Sequence, residues 1–208
     1  MTNPLPPAQP APPPMPPTPV LETARLILRP VRESDVDAVQ RGFGQWEVVR
    51  WLHAGIPWPY PPDGAATNMV DTLKHMAGGG KSIWAITLKD GPDELIGRID
   101  LWPGDGKTRD NRGFWLAPEY KGRGLMTEAA ERVTEYAFMD LGWPHLWLTN
   151  AEANVASGRI KEKQGARLIE RVPGQYVSGP GVRLVWLLTR EDWVANHLSQ
   201  REREGPVA

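Results

Sequence analysis

The stretch Ala117–Trp143, APEYKGRGLMTEAAERVTEYAFMDLGW, marks a change of mode along the chain. Strand-like segments precede it. Within it Gly122 and Gly124 flank Arg123, and Met126, Ala129, Ala130, Val133 and Ala137 then recur at helical spacing. The pattern predicts a helix from about Gly124 to Asp140, ended by Gly142 and Pro144. His145–Asn150 (HLWLTN) follows as a short, buried type of strand. A strand, a glycine turn, a helix and a strand imply a parallel, right-handed crossover, which neither a helical bundle nor a purely antiparallel sandwich contains.

The remaining segments fit around that crossover. Ala24–Val31 (ARLILRPV) is an apolar, branched run ending near proline, and reads as a first strand. RESDVDAVQRGF places Val36, Val39 and Phe43 at helical spacing. HAGIPWPYPPDG is too rich in proline to continue a helix. Ala65–Met76 reads as a second helix, stopped by Gly78–Gly80. Ser82–Lys89, Glu94–Trp102 and Asn111–Ala117 form an antiparallel meander, and a short helix (Val155–Gln164) and two strands (Ala166–Val177, Val182–Thr189) complete the chain. The reading is one α/β (α+β) domain over residues 20–195. It has a central mixed, mostly antiparallel sheet of about seven strands, with helices on both faces.

Residues 1–19 contain ten prolines, which cannot build a core and read as a disordered, solvated leader whose removal leaves the fold intact. Residues 196–208 read as a polar tail. The start is neither basic nor apolar, so it is not a signal peptide, and no apolar run approaches the ~20 residues of a membrane span. The simplest location is cytoplasmic.

Composition excludes several chemistries. Cysteine is absent, which removes disulfides, thiolate metal sites and a cysteine nucleophile. The four histidines show no metal-ligand spacing, so no metal is expected. A net charge of −1 gives no global attraction to nucleic acid or to an anionic membrane.

A glycine turn opening a helix is an anion site. The first helical N–H groups lack internal partners, the helix dipole adds positive charge, and glycine permits close approach. Lys121 and Arg123 add cations. The P-loop pattern is absent, and Thr127 stands where the third glycine of the dinucleotide fingerprint belongs. A plain strand-to-helix turn accounts for the glycine pair alone equally well. A second cluster, NVASGRIKEKQGA, begins at Asn154, just beyond the next strand. Asn154 there suits a helix cap, with Ser157 in the first turn. Two helices starting at neighbouring strand ends lie where open sheets place ligands.

In these residues the sequence resembles the GNAT superfamily of acetyl-CoA-dependent N-acetyltransferases, and in particular its RimJ/RimL-like branch, which acetylates N-terminal amines of ribosomal proteins. The resemblance covers Leu21–Trp193 through LETARLILRPV, IPWPYPPDGAATNMV, ELIGRIDLW, GFWLAPEYKGRGLMTEA and NVASGRIKEKQGA. It implies acetyl-CoA as donor, with the pyrophosphate on the backbone of Lys121, Gly122, Arg123, Gly124, Leu125 and Met126. It implies that Trp115, Leu116 and Ala117 pair with the pantetheine arm, that an N–H near Leu116 polarises the thioester carbonyl, and that Asn154 hydrogen-bonds the arm. Three positions depart from the family pattern: Glu119 for Gln or Arg, Ala166 for an aromatic, and Lys161 for the tyrosine that protonates the leaving thiolate. Ser157 fits the alternative acid of the Rim-like branch.

Without cysteine, direct attack by a neutral amine is the simplest scheme. An α-amino group, with a pKa of about 7.7–8.0, loses its proton more readily than a lysine side chain at about 10.4. The favoured acceptor is therefore a protein or peptide N-terminus. A small-molecule amine remains open, as does a non-catalytic acyl-CoA-binding module. Asp100 is the candidate base, although an exposed acid on a polar strand face explains it too. Trp51, Trp58 and Tyr60 flank the early loop and are the acceptor candidates. An exposed final strand or helix could support a homodimer.

Overall fold

A computed structural model describes residues 13–104 and 108–204, with side chains to residue 199. The branched run after Arg25 forms β2 (Leu26–Pro30), and β1 (Leu21–Glu22) folds back on it. A 3-10 turn (Glu33–Asp35) leads to α1 (Val36–Phe43), followed by α2 (Trp46–Val49) and α3 (Gly64–Ala77). The meander follows as β3 (Ser82–Leu88), β4 (Gly97–Leu101) and β5 (Arg112–Leu116). These strands form an antiparallel sheet in sequence order, β1 to β5.

β3 lies at the centre and is buried from Ser82 to Thr87. Strand alternation divides its side chains between two cores. Ile83 and Ala85 pack with Val39 of α1 and Ala65 and Met69 of α3. Trp84 and Ile86 face the larger cluster, which contains Ala129, Ala130 and Val133 of α4 (Leu125–Glu135). Helices therefore cover both faces, as the sequence predicts. The helix continues through a π-helical turn (Tyr136–Asp140), and Gly142, at φ +69°, terminates it.

β6 (His145–Ala151), α5 (Val155–Lys163), β7 (Arg167–Tyr176), β8 (Gly179–Thr189) and α6 (Arg190–Glu204) complete the fold. The second half departs from the single mixed sheet expected. β6, β8 and β7 form a separate antiparallel sheet, and β5 has no ladder with β6. The strand–helix–strand unit is present, but its strands belong to different sheets.

One side chain marks where they part. Asn111 donates its N–H to the Trp147 carbonyl (2.8 Å) and accepts the Trp147 N–H on Oδ1 (2.7 Å). Its Nδ2 and its carbonyl hold Trp102 of the neighbouring segment (3.1 and 3.0 Å). Beyond this residue β5 and β6 diverge.

The chain ends also differ from expectation. Residues 1–12 and 205–208 lie outside the described residues, but the folded part begins before residue 20. Met15 is 7% exposed within the main core, and its N–H donates to the Gly79 carbonyl (2.7 Å). The Trp84 indole N–H donates to the Pro19 carbonyl (2.7 Å), which is how a buried tryptophan satisfies its polar end. Residues 196–204 continue α6 rather than forming a tail, and Trp193 of that helix packs edge-on against Phe138 (5.7 Å). Met15→Ala is predicted to cost about 2 kcal/mol, read from the urea midpoint. An unchanged midpoint contradicts the docked leader.

Candidate active site

A cavity of about 450 Å³ occupies the gap between the diverging sheets. Phe114–Leu116 of β5 form one wall, and Asn154, Ala156, Ser157 and Ile160 at the start of α5 form the opposite one. Gly122, Gly124 and the first turn of α4 close one side, while Glu47, Val48, Arg50, Trp51 and Leu52 border another.

The glycine loop has the geometry its composition requires. Gly122 and Gly124 take φ +77° and +75°, the left-handed region that L side chains rarely adopt. A Cβ on Gly122 would meet nothing within 4 Å, so backbone angle rather than crowding selects glycine there. Gly124 is the N-cap of α4 and supplies no side-chain cap. Among the described residues, the backbone N–H groups from Gly122 to Thr127 donate to no partner. The acid in that first turn, Glu128, is turned away from the cavity. Its carboxylate accepts from Thr23 Oγ1 (2.5 Å), from the Arg25 N–H (2.8 Å) and from Arg25 Nε (2.7 Å). Arg25 Nη1 in turn donates to the Arg123 carbonyl (3.0 Å) and braces the loop from behind.

Strand register exposes a second row of polar groups. Asn111 and Ala117 bond to β4 through the Trp102 N–H and the Ile96 carbonyl. Antiparallel pairs alternate, so Arg112, Phe114 and Leu116 direct their N–H and C=O away from β4. For Phe114 and Leu116 that direction is the gap. An extended amide-bearing chain can add there as a strand would.

The surrounding charge is mainly positive. Among the described residues, Arg50, Lys121, Arg159 and Lys163 line the cavity, against the single carboxylate of Glu47. Lys121 Nζ donates to the Glu47 carbonyl (3.0 Å). Burial and the nearby Arg50 hold its pKa below the usual lysine value.

On α5, Asn154 caps the helix by accepting the Ser157 N–H on Oδ1 (3.3 Å). Its Nδ2 remains without a described acceptor. Ser157 is 7% exposed on the cavity wall, and its Oγ accepts from Lys161 Nζ at 2.9 Å. Lys161 lies behind that wall at 2% exposure.

The structure gathers Trp115, Leu116, Lys121, Gly122, Gly124, Leu125, Met126, Asn154, Ser157 and Trp51 around one cavity, but contrary to expectation the Trp115 backbone pairs with Arg98 of β4 and the Lys121 N–H donates to the Pro118 carbonyl (3.1 Å), so neither backbone is free for the cofactor. It leaves the other candidates off the wall. Ala117 is buried in the second core. Arg123 shares the loop backbone, but its guanidinium lies over the Tyr120 ring at 5.9 Å. Asp100 is not a free base: Arg98 Nε and Nη2 each donate to it at 2.7 Å, a bidentate pair that occupies both oxygens. Trp58 packs at a tilt against Trp46 (5.1 Å) outside the cavity. Tyr60 packs on Phe43 (5.2 Å), which packs on Trp115 (5.4 Å), so Tyr60 backs the wall rather than lining it. Sequence reasoning missed Glu47 and Arg50, because the helix carrying Glu47 is a single turn too short to show a period.

Among the described residues no group of three or more His, Asp or Glu could hold a metal ion. No helix among them is long and apolar enough to cross a membrane.

The chain is similar to known acetyltransferases. Residues 25–167 match the family model described as an acetyltransferase (GNAT) domain. The uncharacterized N-acetyltransferase YoaA of Bacillus subtilis is 31% identical over 149 residues, covering 71% of this chain and 82% of YoaA. Among solved structures, Mycobacterium smegmatis RimJ in complex with CoA-disulfide superposes with a TM-score of 0.70 at 20% identity, covering 84% of this chain and 88% of that one. RimL, a ribosomal L7/L12 alpha-N-protein acetyltransferase in complex with coenzyme A, gives 0.69 at 14% identity, covering 82% and 97%. These two likenesses concern the fold. With the family match over most of the chain, the conclusion is that this protein belongs to the GNAT acetyltransferases, acyltransferases that take their acetyl group from acetyl-CoA.

Proposed function

We propose that the protein moves the acetyl group of acetyl-CoA directly to the α-amino group of a protein or peptide N-terminus. The observation that carries this reading is the pair of unpartnered backbone rows facing one cavity. N–H groups of Gly122–Thr127 receive a pyrophosphate, and the Phe114–Leu116 edge receives an amide-bearing arm. In this reading Leu116 N–H polarises the thioester carbonyl, Asn154 Nδ2 donates to the arm, and Ser157 donates a proton to the leaving sulfur.

The acceptor class follows from what the walls offer as a base. Both Asp100 oxygens are held by Arg98, and among the described residues Glu47 is the one carboxylate lining the cavity. Such a site suits an amine that is already partly neutral near pH 7, which an α-amine is and a lysine side chain is not. RimL, whose fold this chain shares, is described as acting on α-amino groups. The mainly basic wall also disfavours a polycationic acceptor.

Three outcomes test the reading. CoA release with acetyl-CoA is predicted to be faster with peptides bearing free N-termini than with lysine, polyamines or N-blocked peptides. Preference for a small amine would shift the assignment, and CoA binding without turnover on any amine would make the chain a binding module. Gly124→Glu is predicted to weaken acetyl-CoA binding tenfold or more, equivalent to about 1.4 kcal/mol, by calorimetry. A melting curve taken alongside separates this from backbone strain at the left-handed position. Ser157→Ala is predicted to lower kcat by about 100-fold with little change in the KM for acetyl-CoA. Wild-type kcat rejects Ser157 as the acid.

A further inference from the structure

Resting on the placement of the acetyl-CoA sulfur at Ser157, we propose that Lys161 is a positioning residue for the leaving-group acid. It fixes the Ser157 hydroxyl with its proton turned to the cavity and replaces that proton once it has left. The geometry carries this. Lys161 is buried behind the wall, and its Nζ donates to Ser157 Oγ at 2.9 Å and to the Ser157 carbonyl at 3.3 Å. An ammonium has only donors, so Oγ must accept, and the serine proton is free to point elsewhere. Ser157 meets the cavity while Lys161 does not, so Lys161 reaches the reacting atoms only through Oγ.

The surroundings suit a group that changes charge during turnover. Lys161 Nζ lies over the ring of Phe114, a residue of the strand that lines the gap, 5.3 Å from its centroid. Burial, then the positive charge of Arg112, lowers its pKa to about 7, against a counter-effect from Asp110. Asp110 is itself raised to about 6, chiefly by burial, with Thr149, Lys161 and Arg183 opposing. Arg112, lowered to about 10 by burial, is supported by the charges of Glu131 and Asp110. A buried lysine that only filled space would more economically be a methionine or leucine, because burying a charge carries a desolvation cost.

The step balances. The acetyl carbon–sulfur bond breaks as the carbon–nitrogen bond forms. The Ser157 hydroxyl proton goes to the departing sulfur, a Lys161 proton replaces it on Oγ, and Lys161 is left neutral. The attacking amine releases one proton to solvent and Lys161 takes one back, so no further reactant is needed.

The test needs no acceptor. CoA itself is bound to the wild type, Lys161→Met and Ser157→Ala, its affinity is measured by calorimetry, and its thiol is titrated by thiolate ultraviolet absorbance. In the wild type the Ser157 hydroxyl, held in place by Lys161, hydrogen-bonds the thiolate, so the apparent thiol pKa falls below that of free CoA by about one unit. Both variants are predicted to lose that shift while still binding CoA. Lys161→Gln keeps a side-chain N–H donor without the charge and serves where Lys161→Met fails to fold; a wild-type thiol pKa in either Lys161 variant, with CoA bound, overturns the role of Lys161. Equal thiol pKa values in wild type and Ser157→Ala, with CoA bound in both, overturn the role of Lys161. Absence of CoA binding to the wild type overturns the assignment of the cavity as well, and the two failures are thereby distinguished.

Discussion

The arrangement depends on how Asn111 distributes its hydrogen bonds. Its backbone and side chain hold Trp102 on one flank and Trp147 on the other, so a single residue belongs to two sheets. A complete ladder between β5 and β6 would consume the outward N–H and C=O groups of Phe114 and Leu116. Because contact is concentrated at one end, those groups remain available where the strands diverge. The gap, its volume and its polar lining follow from that geometry. An edge left open on an ordinary sheet invites indiscriminate pairing; here it is recessed between α4 and α5.

Behind the gap lies a polar seam within an otherwise apolar core. Arg112 donates to Thr134 Oγ1 (2.5 Å), to the Ala130 carbonyl (3.2 Å) and to Gln164 Oε1 (2.8 Å), tying β5 to α4 and to the end of α5. Both terminal nitrogens of this buried guanidinium are partnered while its Nε is not, and breaking one of the partnerships it has would be costly. The seam keeps the strand that carries the cavity edge in register with both helices whose first turns face that cavity. The same interior that fixes position also lowers the proton affinity of Lys161.

Much of this was legible in the chain, and the exceptions have physical causes. The glycine pair could be read because left-handed backbone is a local demand that few residues meet. The meander and the long helix could be read because period 2 and period 3.6 are also local. The separation into two sheets could not, since pairing hinges on one asparagine side chain far in sequence from the β6 residue it bonds. Asp100 was placed on the proper strand face, yet Arg98, two residues away and on that same face, takes both its oxygens. Met15 was hidden by its neighbours: proline-rich composition argues for a solvated segment, while one apolar side chain and one N–H suffice to dock part of it. Lys161 stood out only as a departure from a family pattern; its burial behind Ser157 belongs to the three-dimensional arrangement.

The hairpin of β7 and β8 reaches beyond the end of β6 to the chain that follows α2. The Ser178 N–H donates to the Arg50 carbonyl (3.2 Å), the Val177 N–H to the Leu52 carbonyl (3.0 Å), and the Ala54 N–H to the Gln175 carbonyl (3.2 Å). With Asn111 at the other end, the gap is stitched at both limits, like a buttonhole whose length is set by its end threads. Objects pass such an opening by being slender, not by prising it wider. A long, unbranched arm can be threaded along it.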